Sequence, residues 1–517
     1  MSRARRSTSR YSVADRALKS ACCRRSMSLA VINRCTDFAL DANAADRGDL
    51  AIAVLAPLSN VAPDHARVWQ MLGLAYRQVQ DSAAALSAFA RAAALGPGDP
   101  RIANGHATAA MEAGVPSALL FKTARDLSPD DPELMLSTIA ALNADGHHDV
   151  AEPLLARSVA ANPAWVRGHE ALATLRLTMN ADPDFARSFA EAAVRLPSNL
   201  PLHLAWQRAL AQAGRWDAAR EVIERGQAVL GNRIEFDAAQ ANIAAETGDV
   251  PLADQLFAKA ATLDDPGSRI SHIRHCLRMG RIEQAEALAM HALPRQLPST
   301  VWPYLSLIWR LRGDSRATWI DGAPPMVAVI DLDFGLDELA TLASSLRKLH
   351  TTRHHPAEQS VRGGTQTEGV LLARIDPVIR SLRAKVLAAV RAYVDALPQF
   401  DAEHPLLGTA RGDIYFAGSW SVRLGAQGFH TCHTHPLGWI SSALYVSLPE
   451  SPGPRPAGWL ELGASPPDLG LDLHAFMSVE PKPGRLVLFP STMWHGTVPF
   501  QDGERMTVAF DVAVPSR

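Results

Sequence analysis

Two short segments near the C-terminus hold residues whose types and spacing could bind a metal ion. The first reads GFHTCHTHP over residues 428–436 and places His433 and His435 two positions apart. Because residues two apart on a strand point to the same face, we predict a strand that presents both imidazoles together. His495 follows a pattern typical of a buried strand, and we expect it at the rim of a barrel as the third ligand. Three neutral imidazoles suit iron, zinc, copper or nickel, and their spacing does not choose among these metals.

Arg505 and Thr507 indicate a second binding function beside the metal. They lie at the start of a predicted strand over 506–514 and share one face of it. A guanidinium can bind a carboxylate through two parallel hydrogen bonds, and a neighbouring hydroxyl can add a third. A metal beside this Arg–Thr pair fits a dicarboxylate that chelates the metal with its other end.

Three further features accompany these candidates. His430 precedes His433 by three residues, so on a regular strand it would face the other side. We interpret it as a residue behind the ligands or facing the substrate. Tyr445 could donate a hydrogen bond to a co-substrate, or it could belong to the core. The segment RGGTQT at 362–367 is predicted to be a turn, either structural or at the edge of the site.

The bulk properties of the chain exclude several classes of protein. A length of 517 residues predicts at least two domains, and a net charge of −2 gives no electrostatic basis for binding nucleic acid. No apolar run reaches the roughly 18 residues that cross a membrane. Five scattered cysteines argue against a disulfide framework and favour a reducing compartment, so we expect a cytoplasmic protein.

Residues 1–26 are basic and rich in serine, and they lack the apolar core of a secretory signal. We predict a disordered tail over 1–26. An organelle transit peptide and an over-extended start are the alternatives.

Residues 27–315 have the periodicity of helices and repeat with a period near 34. Prolines recur with this period at Pro63, Pro97, Pro129, Pro163 and Pro197. The unit from Trp69 to Pro97 matches the tetratricopeptide pattern at each of its positions, namely Trp69, Leu72, Gly73, Tyr76, Ala85, Phe89 and Pro97. This region therefore resembles a tetratricopeptide array. The resemblance implies about seven to eight helix pairs stacked as a right-handed superhelix, whose concave groove binds a protein or peptide; a rigid spacer or oligomerisation arm is the alternative.

A glycine- and proline-rich linker is predicted over 316–325, followed by a second domain over 326–517. That domain is expected to begin with a strand at 326–332 and to contain helices at 336–349 and 376–397. From residue 412 onward it becomes rich in strands. The predicted strands are 414–416, 420–424, 439–448, 459–462, 485–490 and 507–514. Short strands at this density favour a sandwich or barrel over a parallel sheet.

Several motifs of the second domain resemble one enzyme family. They are RGGTQT at 362–367, SWSVR at 419–423, GFHTCHTHP, WISSALYV at 439–446, LFPS at 488–491 followed by Trp494–His495, and Glu504–Arg505 with Thr507. Residues 325–517 are thereby similar to the 2-oxoglutarate/Fe(II)-dependent dioxygenases, and more narrowly to those that follow tetratricopeptide repeats. The resemblance implies a double-stranded β-helix (jelly-roll) with flanking helices.

The resemblance also implies cofactors and roles. Fe(II) would be held by His433, His435 and His495, which form the catalytic centre. The co-substrate 2-oxoglutarate would bind Arg505 and Thr507, with Tyr445 as a further contact. O2 is the second co-substrate, and ascorbate is a compatible reductant.

One position departs from the family pattern. Where a carboxylate ligand is usual, this chain has His435, which leaves the site one charge more positive. His435 either binds the metal or stands aside with water in its place.

The sequence therefore favours a hydroxylase whose repeat arm recruits a protein or peptide. The alternative is a non-catalytic repeat protein whose barrel is a silent metal- or ligand-binding module. A cupin-like zinc or manganese enzyme is a third possibility, against which Arg505 and Thr507 argue. No nucleic-acid or membrane partner is expected, and the oligomeric state is not predicted.

Overall fold

The computed structural model describes residues 28–293, 298–322, 326–351 and 360–515. The tail predicted over 1–26 lies outside these residues. The described residues fold in two compact units, one containing 28–151 and 368–383, the other containing 152–367 and 384–515. Within the described ranges, no helix is long and apolar enough to cross a membrane.

Helices in pairs fill the N-terminal region. They are α1 Leu29–Ala44, α2 Gly48–Val61, α3 Ala66–Gln78, α4 Ser82–Leu95, α5 Pro100–Glu112, α6 Ala118–Leu127, α7 Pro132–Ala144, α8 His148–Ala161, α9 Val166–Asn180, α10 Arg187–Arg195, α11 Leu200–Gln212, α12 Trp216–Leu230, α13 Ile234–Thr247, α14 Val250–Lys259, α15 Pro266–Arg278, α16 Ile282–Ala292, α17 Pro298–Arg312 and α18 Arg316–Asp321. From α3 to α17, the first helices of consecutive pairs begin 32 to 34 residues apart. This spacing agrees with the predicted repeat. The described residues hold nine pairs, more than the seven to eight expected, and the ninth pair is completed by α18, which lies in the segment predicted as a linker.

Close packing within and between repeats depends on small residues opposite Phe89. A Cβ added at Gly73, in the first helix of the pair, would lie 2.5 Å from the Phe89 ring. A Cβ added at Gly105, in the next repeat, would lie 2.2 Å from the same ring. Phe89 is fully buried, so it fills the space that the two glycines leave between three helices.

Aspartates begin several of the helices. The carboxylates of Asp99, Asp131 and Asp265 accept hydrogen bonds from backbone N–H groups in the first turns of α5, α7 and α15. Proline follows each aspartate at the first helical position, where its missing N–H carries no penalty. These caps fix where each repeat starts.

Part of the predicted linker 316–325 is helical. The Asp314 carboxylate accepts a hydrogen bond from the backbone N–H of Arg316 at 2.9 Å and so starts α18. Ile320 is 4% exposed and joins the last apolar cluster of the repeats. Gly322, with a φ of +82°, follows the last residue of this helix. Residues 323–325 lie outside the described part of the chain.

The C-terminal region is built from antiparallel strands with flanking helices. The strands are β1 Ala328–Asp331, β2 Val361–Gln366, β3 Phe416–His430, β4 Gly438–Ser447, β5 Leu460–Leu462, β6 Met477–Val479, β7 Arg485–Pro490, β8 His495–Thr497 and β9 Arg505–Ala513. The helices are α19 Leu336–Arg347 and α20 Pro377–Ala396. Six strands form one sheet in the order β1-β7-β4-β9-β3-β2, and three form a second in the order β6-β5-β8. All pairs are antiparallel, as the preference against a parallel sheet predicts.

Residues 362–366 of the segment RGGTQT lie in a strand, so the prediction of a turn there is wrong. They belong to β2, which pairs with β3 through a register shift between Arg362 and Gly364. Gly363 has a φ of +69°, and a Cβ at Gly364 would lie 2.4 Å from the Arg423 carbonyl oxygen. The two glycines allow a bulged strand to approach its neighbour closely.

Candidate metal centre

Three histidines meet in the C-terminal region. Among the described residues, His433, His435 and His495 each offer a ligand atom, and these atoms lie within 4.8 Å of one another. The ring centroids of His433 and His495 are 4.1 Å apart, and His435 lies 5.0 Å from each of them. The sequence-predicted residues are therefore brought together.

The prediction that His433 and His435 lie on a strand is wrong, because β3 ends at His430. The next strand, β4, is not the neighbour of β3, since β9 lies between them. The chain after His430 must therefore leave the sheet. His433 instead forms an isolated bridge in which its N–H donates to the His495 carbonyl at 2.9 Å and its carbonyl accepts in return at 3.0 Å. The bridge joins two of the three histidines directly through the backbone.

His430 lies in the same cavity as the three histidines, which corrects the expectation that it faces the other side. The rule of alternating faces fails here because the strand does not continue past His430. Its ring stacks on that of His433, with centroids 5.9 Å apart. The Ser360 Oγ lies 3.1 Å from His430 Nδ1 and 3.1 Å from His433 Nε2.

In each of the three candidate ligands, His433, His435 and His495, the Nδ1 atom lies beside a hydrogen-bond acceptor. The distances are 2.8 Å from His433 to the Thr431 carbonyl oxygen, 3.0 Å from His495 to the Met493 carbonyl oxygen, and 2.7 Å from His435 to the Asp511 carboxylate. Carbonyl and carboxylate oxygens cannot donate, so each Nδ1 carries a proton and Nε2 is the ring nitrogen left to face a ligand. This is the arrangement in which protein histidines bind metal ions.

Asp511 is a functional candidate that the sequence reasoning missed. Both of its carboxylate oxygens lie near His435 Nδ1, at 2.7 and 2.8 Å, and Oδ1 also accepts a hydrogen bond from Ser441 Oγ. The Ser491 hydroxyl extends this network to Ser441 at 2.8 Å. Strand alternation was the available indication, because Asp511 has the same parity on β9 as Arg505.

Arg505 lies in the same cavity and is only 2% exposed. Its Nη1 donates to the Gly458 carbonyl at 2.9 Å, and its Nη2 donates to Thr497 Oγ1 at 3.2 Å. Its Nε atom has no hydrogen-bond partner, and no carboxylate among the described residues forms an ion pair with it. Burial lowers the pKa of Arg505 from its ordinary value. The guanidinium is thus a buried cation with an unsatisfied donor.

Tyr445 and Thr507 lie beside one another in this cavity. They are paired across β4 and β9, and both are buried. The Tyr445 hydroxyl has no hydrogen-bond partner among the described residues. Burial raises the pKa of Tyr445, so its phenol stays protonated and can donate. Two unsatisfied polar groups, on Arg505 and Tyr445, therefore belong to one cavity.

The cavity has a volume of about 530 Å³. It is lined by the histidines and also by Arg505, Tyr445 and Thr507. Burial lowers the pKa of His433 to about 3 and holds the pKa values of His430 and His495 well below their usual range. Neutral imidazoles are the form that binds metals, so these side chains need no deprotonation near neutral pH.

Fold and site together define a class: a helical repeat region followed by an antiparallel-sheet domain with three histidines and a buried arginine in one cavity. The family model described as "Putative 2OG-Fe(II) oxygenase" matches residues 418–511. The C-terminal part of the chain carries a domain of this family. No curated protein sequence matches the chain.

Solved structures similar to parts of the chain include oxygenases and a repeat protein. A prolyl-4-hydroxylase from Pseudomonas putida has 18% identity and a TM-score of 0.25, covering 37% of this chain and 93% of that one. HygX from Streptomyces hygroscopicus, with nickel, 2-oxoglutarate and hygromycin B bound, has 17% identity and a TM-score of 0.27, covering 39% and 86%. A tetratricopeptide repeat protein from Parabacteroides merdae has 16% identity and a TM-score of 0.30, covering 45% and 93%. The family model confirms the resemblance of the C-terminal region to the 2-oxoglutarate/Fe(II) oxygenases. The spacing of the helix pairs agrees with the tetratricopeptide resemblance of the N-terminal region.

Proposed function

We propose that this protein is an Fe(II)- and 2-oxoglutarate-dependent dioxygenase that hydroxylates a protein or peptide. The observation that carries the proposal is the buried guanidinium of Arg505, which shares a cavity with the three histidines and has no acidic partner among the described residues. A buried cation without a counter-charge is unfavourable. A ligand carboxylate at Arg505 would neutralise it, and the other end of the same ligand would reach the histidines.

The residues present fit such a ligand and its metal. The Nε2 atoms of His433, His435 and His495 would hold the metal, since their Nδ1 atoms are engaged elsewhere. When bound, Fe(II) supplies the centre at which O2 oxidises 2-oxoglutarate to succinate and CO2 while a substrate C–H bond is hydroxylated.

The remaining polar groups would orient the co-substrate. Arg505 and Thr507 would bind its distal carboxylate, and the unsatisfied Tyr445 hydroxyl would donate a further hydrogen bond. Phe489 is fully buried, with its ring 4.7 Å from that of His495. It covers one side of the His495 ring, and keeping water from that side would strengthen electrostatic interactions there.

We propose that His435 is a ligand rather than a bystander. The Asp511 carboxylate fixes its ring with Nδ1 protonated, leaving Nε2 for the metal. It also supplies a negative charge directly behind the imidazole. The carboxylate that related sites place on the metal would here act through the histidine.

The proposal extends to the remaining architecture. We propose that the six-stranded and three-stranded sheets are the two faces of a double-stranded β-helix. The nine helix pairs among the described residues would recruit the protein or peptide substrate, as stacked repeats offer extended binding surfaces. Cys35, Cys276 and Cys432 are free thiols, which fits a reducing compartment such as the cytoplasm.

The test is turnover of 2-oxoglutarate by the purified full chain with Fe(II), O2 and ascorbate. We expect succinate to form slowly without a protein substrate. His495→Ala should abolish this turnover, and Arg505→Ala should reduce it steeply. A chain that neither binds 2-oxoglutarate nor forms succinate would contradict the proposal.

A second candidate function is a non-catalytic module that binds metal or ligand. The observation that favours it is His435, an imidazole where a carboxylate ligand is usual. This candidate predicts that metal and 2-oxoglutarate bind to the chain without forming succinate, with or without a protein substrate. The turnover assay combined with binding measurements therefore separates the two.

A further inference from the structure

The last repeats contact the strand that carries a candidate ligand. Trp494, which directly precedes His495, is 6% exposed, and its indole N–H donates to the Pro303 carbonyl in α17 at 2.9 Å. Its ring meets Tyr304 of the same helix edge-on, with centroids 5.5 Å apart. Both side chains belong to one apolar cluster, which also contains Ile308. Trp494 is thus embedded in the packing of the repeat helices.

A second contact from α17 reaches the same place. Arg310 donates hydrogen bonds to the backbone carbonyls of Gly463 and His474. Gly463 in turn donates its N–H to the Trp494 carbonyl at 2.7 Å. Arg310 therefore fixes the backbone that holds Trp494 from the other side.

Helix α15 adds an ionic contact to this junction. Arg274 and Arg278 both bind the Asp468 carboxylate, the latter at 2.8 Å. Arg278 also pairs with Glu246 of α13 at 2.8 Å. The segment around Asp468 is therefore bound to α15, and Arg278 links it further to α13.

Two of the three candidate ligands are adjacent to residues that these contacts hold. His495 follows Trp494, and His433 is joined to His495 by two backbone hydrogen bonds. Cys432 precedes His433, and its thiol donates to the Ala464 carbonyl next to Gly463. A displacement of α17 would therefore move both histidines together.

We propose that Trp494 is a positioning residue for His495 and that helices α15 and α17 are a structural part of the metal site. The presence of a metal in this inference rests on the proposed function. The positioning role of the helices rests on the contacts described above. The repeats are then not a detachable arm. Coupling between two sites is reciprocal, so a partner that displaced these helices would change metal affinity, and the metal would change the affinity for that partner by the same factor.

The test compares two tryptophan variants of the full chain, each losing an indole from the same apolar cluster. Trp494→Phe removes the hydrogen bond to α17. Trp302→Phe is the matched control, since Trp302 is 9% exposed and packs against Trp309 and Trp319. Hydrogen exchange of the metal-free proteins is followed by mass spectrometry in peptides covering 428–437 and 491–497. Nickel affinity is measured by calorimetry.

We expect exchange in both peptides to accelerate about tenfold in Trp494→Phe, and nickel affinity to fall about tenfold, within the range for residues that support ligands. Trp302→Phe should change neither, even where its melting temperature falls equally. Arg310→Gln removes the arginine hydrogen bond to the Gly463 carbonyl without removing an apolar side chain from the core. It should accelerate hydrogen exchange in the same two peptides, and it replaces Trp494→Phe in the test if that variant does not fold.

The proposal would be overturned if these peptides exchanged in Trp494→Phe at the same rate as in the wild-type protein. If only Arg310→Gln folds, the same result in that variant would overturn it. So would equal acceleration in Trp302→Phe. Absence of nickel binding to the wild-type protein would contradict the proposed function instead, because the exchange measurement needs no metal.

Discussion

The Asp511 carboxylate lies 2.7 Å from His435 Nδ1, on the side of the ring opposite the atom available to a metal. In the proposed metal site, His435 takes the position where a carboxylate ligand is usual, so the two residues together would restore the negative charge. The pair is also fixed from outside, because Ser441 Oγ donates to the same carboxylate at 2.7 Å. The arrangement makes His435 a stronger electron donor than an imidazole facing water.

Replacement of Asp511 by asparagine should weaken metal binding. The asparagine side chain is nearly isosteric with that of aspartate but neutral, so it would no longer hold the His435 imidazole with a negative charge. We expect nickel or cobalt affinity to fall by about 10- to 100-fold, as for other residues that orient metal ligands. Calorimetric titration of the metal-free protein measures the loss, and the visible spectrum of the cobalt form reports on the ligand geometry.

The repeat region provides a matched control for this variant. Asp254 in α14 lies 2.8 Å from His275 Nε2, so it forms another His–Asp pair. Arg281 also binds the Asp254 carboxylate, and Asp254→Asn should cost stability. It should leave metal affinity unchanged. Equal losses of affinity in both variants would show that Asp511 acts only through general stability.

Arg505→Met should remove binding of 2-oxoglutarate while leaving the metal in place. The methionine retains much of the apolar volume but cannot pair with a carboxylate, so affinity for 2-oxoglutarate should fall by at least about 100-fold. Titration of the nickel-loaded protein with 2-oxoglutarate measures this. Arg423→Met is the control, since Arg423 binds Glu504 on the exposed side of β3. A variant of Arg505 that binds 2-oxoglutarate normally would contradict the assignment.

The sequence predicted which residues share the cavity better than it predicted the backbone elements that carry them. Period-two alternation correctly placed Arg505 and Thr507 in one cavity, because β9 is a regular strand. The same rule failed for His430 and His433. The chain there leaves the sheet to pass β9, and strand order is a tertiary property that alternation does not encode.

The repeats were predictable from spacing because each helix pair repeats the same local packing. The junction with the C-terminal region was not. In the sequence, Trp494 is recognisable only as the neighbour of a candidate ligand. The structure shows that its indole N–H donates to the Pro303 carbonyl. Asp511 was overlooked because a single acidic residue in an apolar strand has no partner in the sequence. The role of Asp511 depends on its contact with His435, which lies in a separate segment of the chain.

The stability of the protein should depend on pH through His350. Burial lowers the pKa of His350 to about 4, and its ring is held by the hydroxyls of Thr365 and Ser421. An unfolded histidine has a pKa near 6.5, so between these two values the unfolded chain binds a proton that the folded chain does not. The stability present above pH 6.5 is therefore lost as pH falls toward 4, by about 3 kcal/mol in total.

His350→Gln isolates this contribution, since glutamine can hydrogen-bond but does not titrate. Melting temperatures measured in a chelator at about pH 7.5 and about pH 5 should fall less in the variant than in the wild type. Other buried histidines contribute equally to both proteins and cancel in the comparison. The same fall in both would mean that His350 does not resist protonation.

Ser360 should compete with the metal for His433. Its Oγ lies 3.1 Å from His433 Nε2, and since His433 Nδ1 donates to the Thr431 carbonyl, Nε2 can only accept. Metal binding must break this hydrogen bond, which is worth about 1 kcal/mol, so Ser360→Ala should bind nickel about fivefold more tightly. Ser421→Ala is the matched control, because it removes a hydroxyl from His350 instead, and should leave affinity unchanged. Weaker binding in Ser360→Ala would mean that the hydroxyl orients His433 for the metal rather than opposing it.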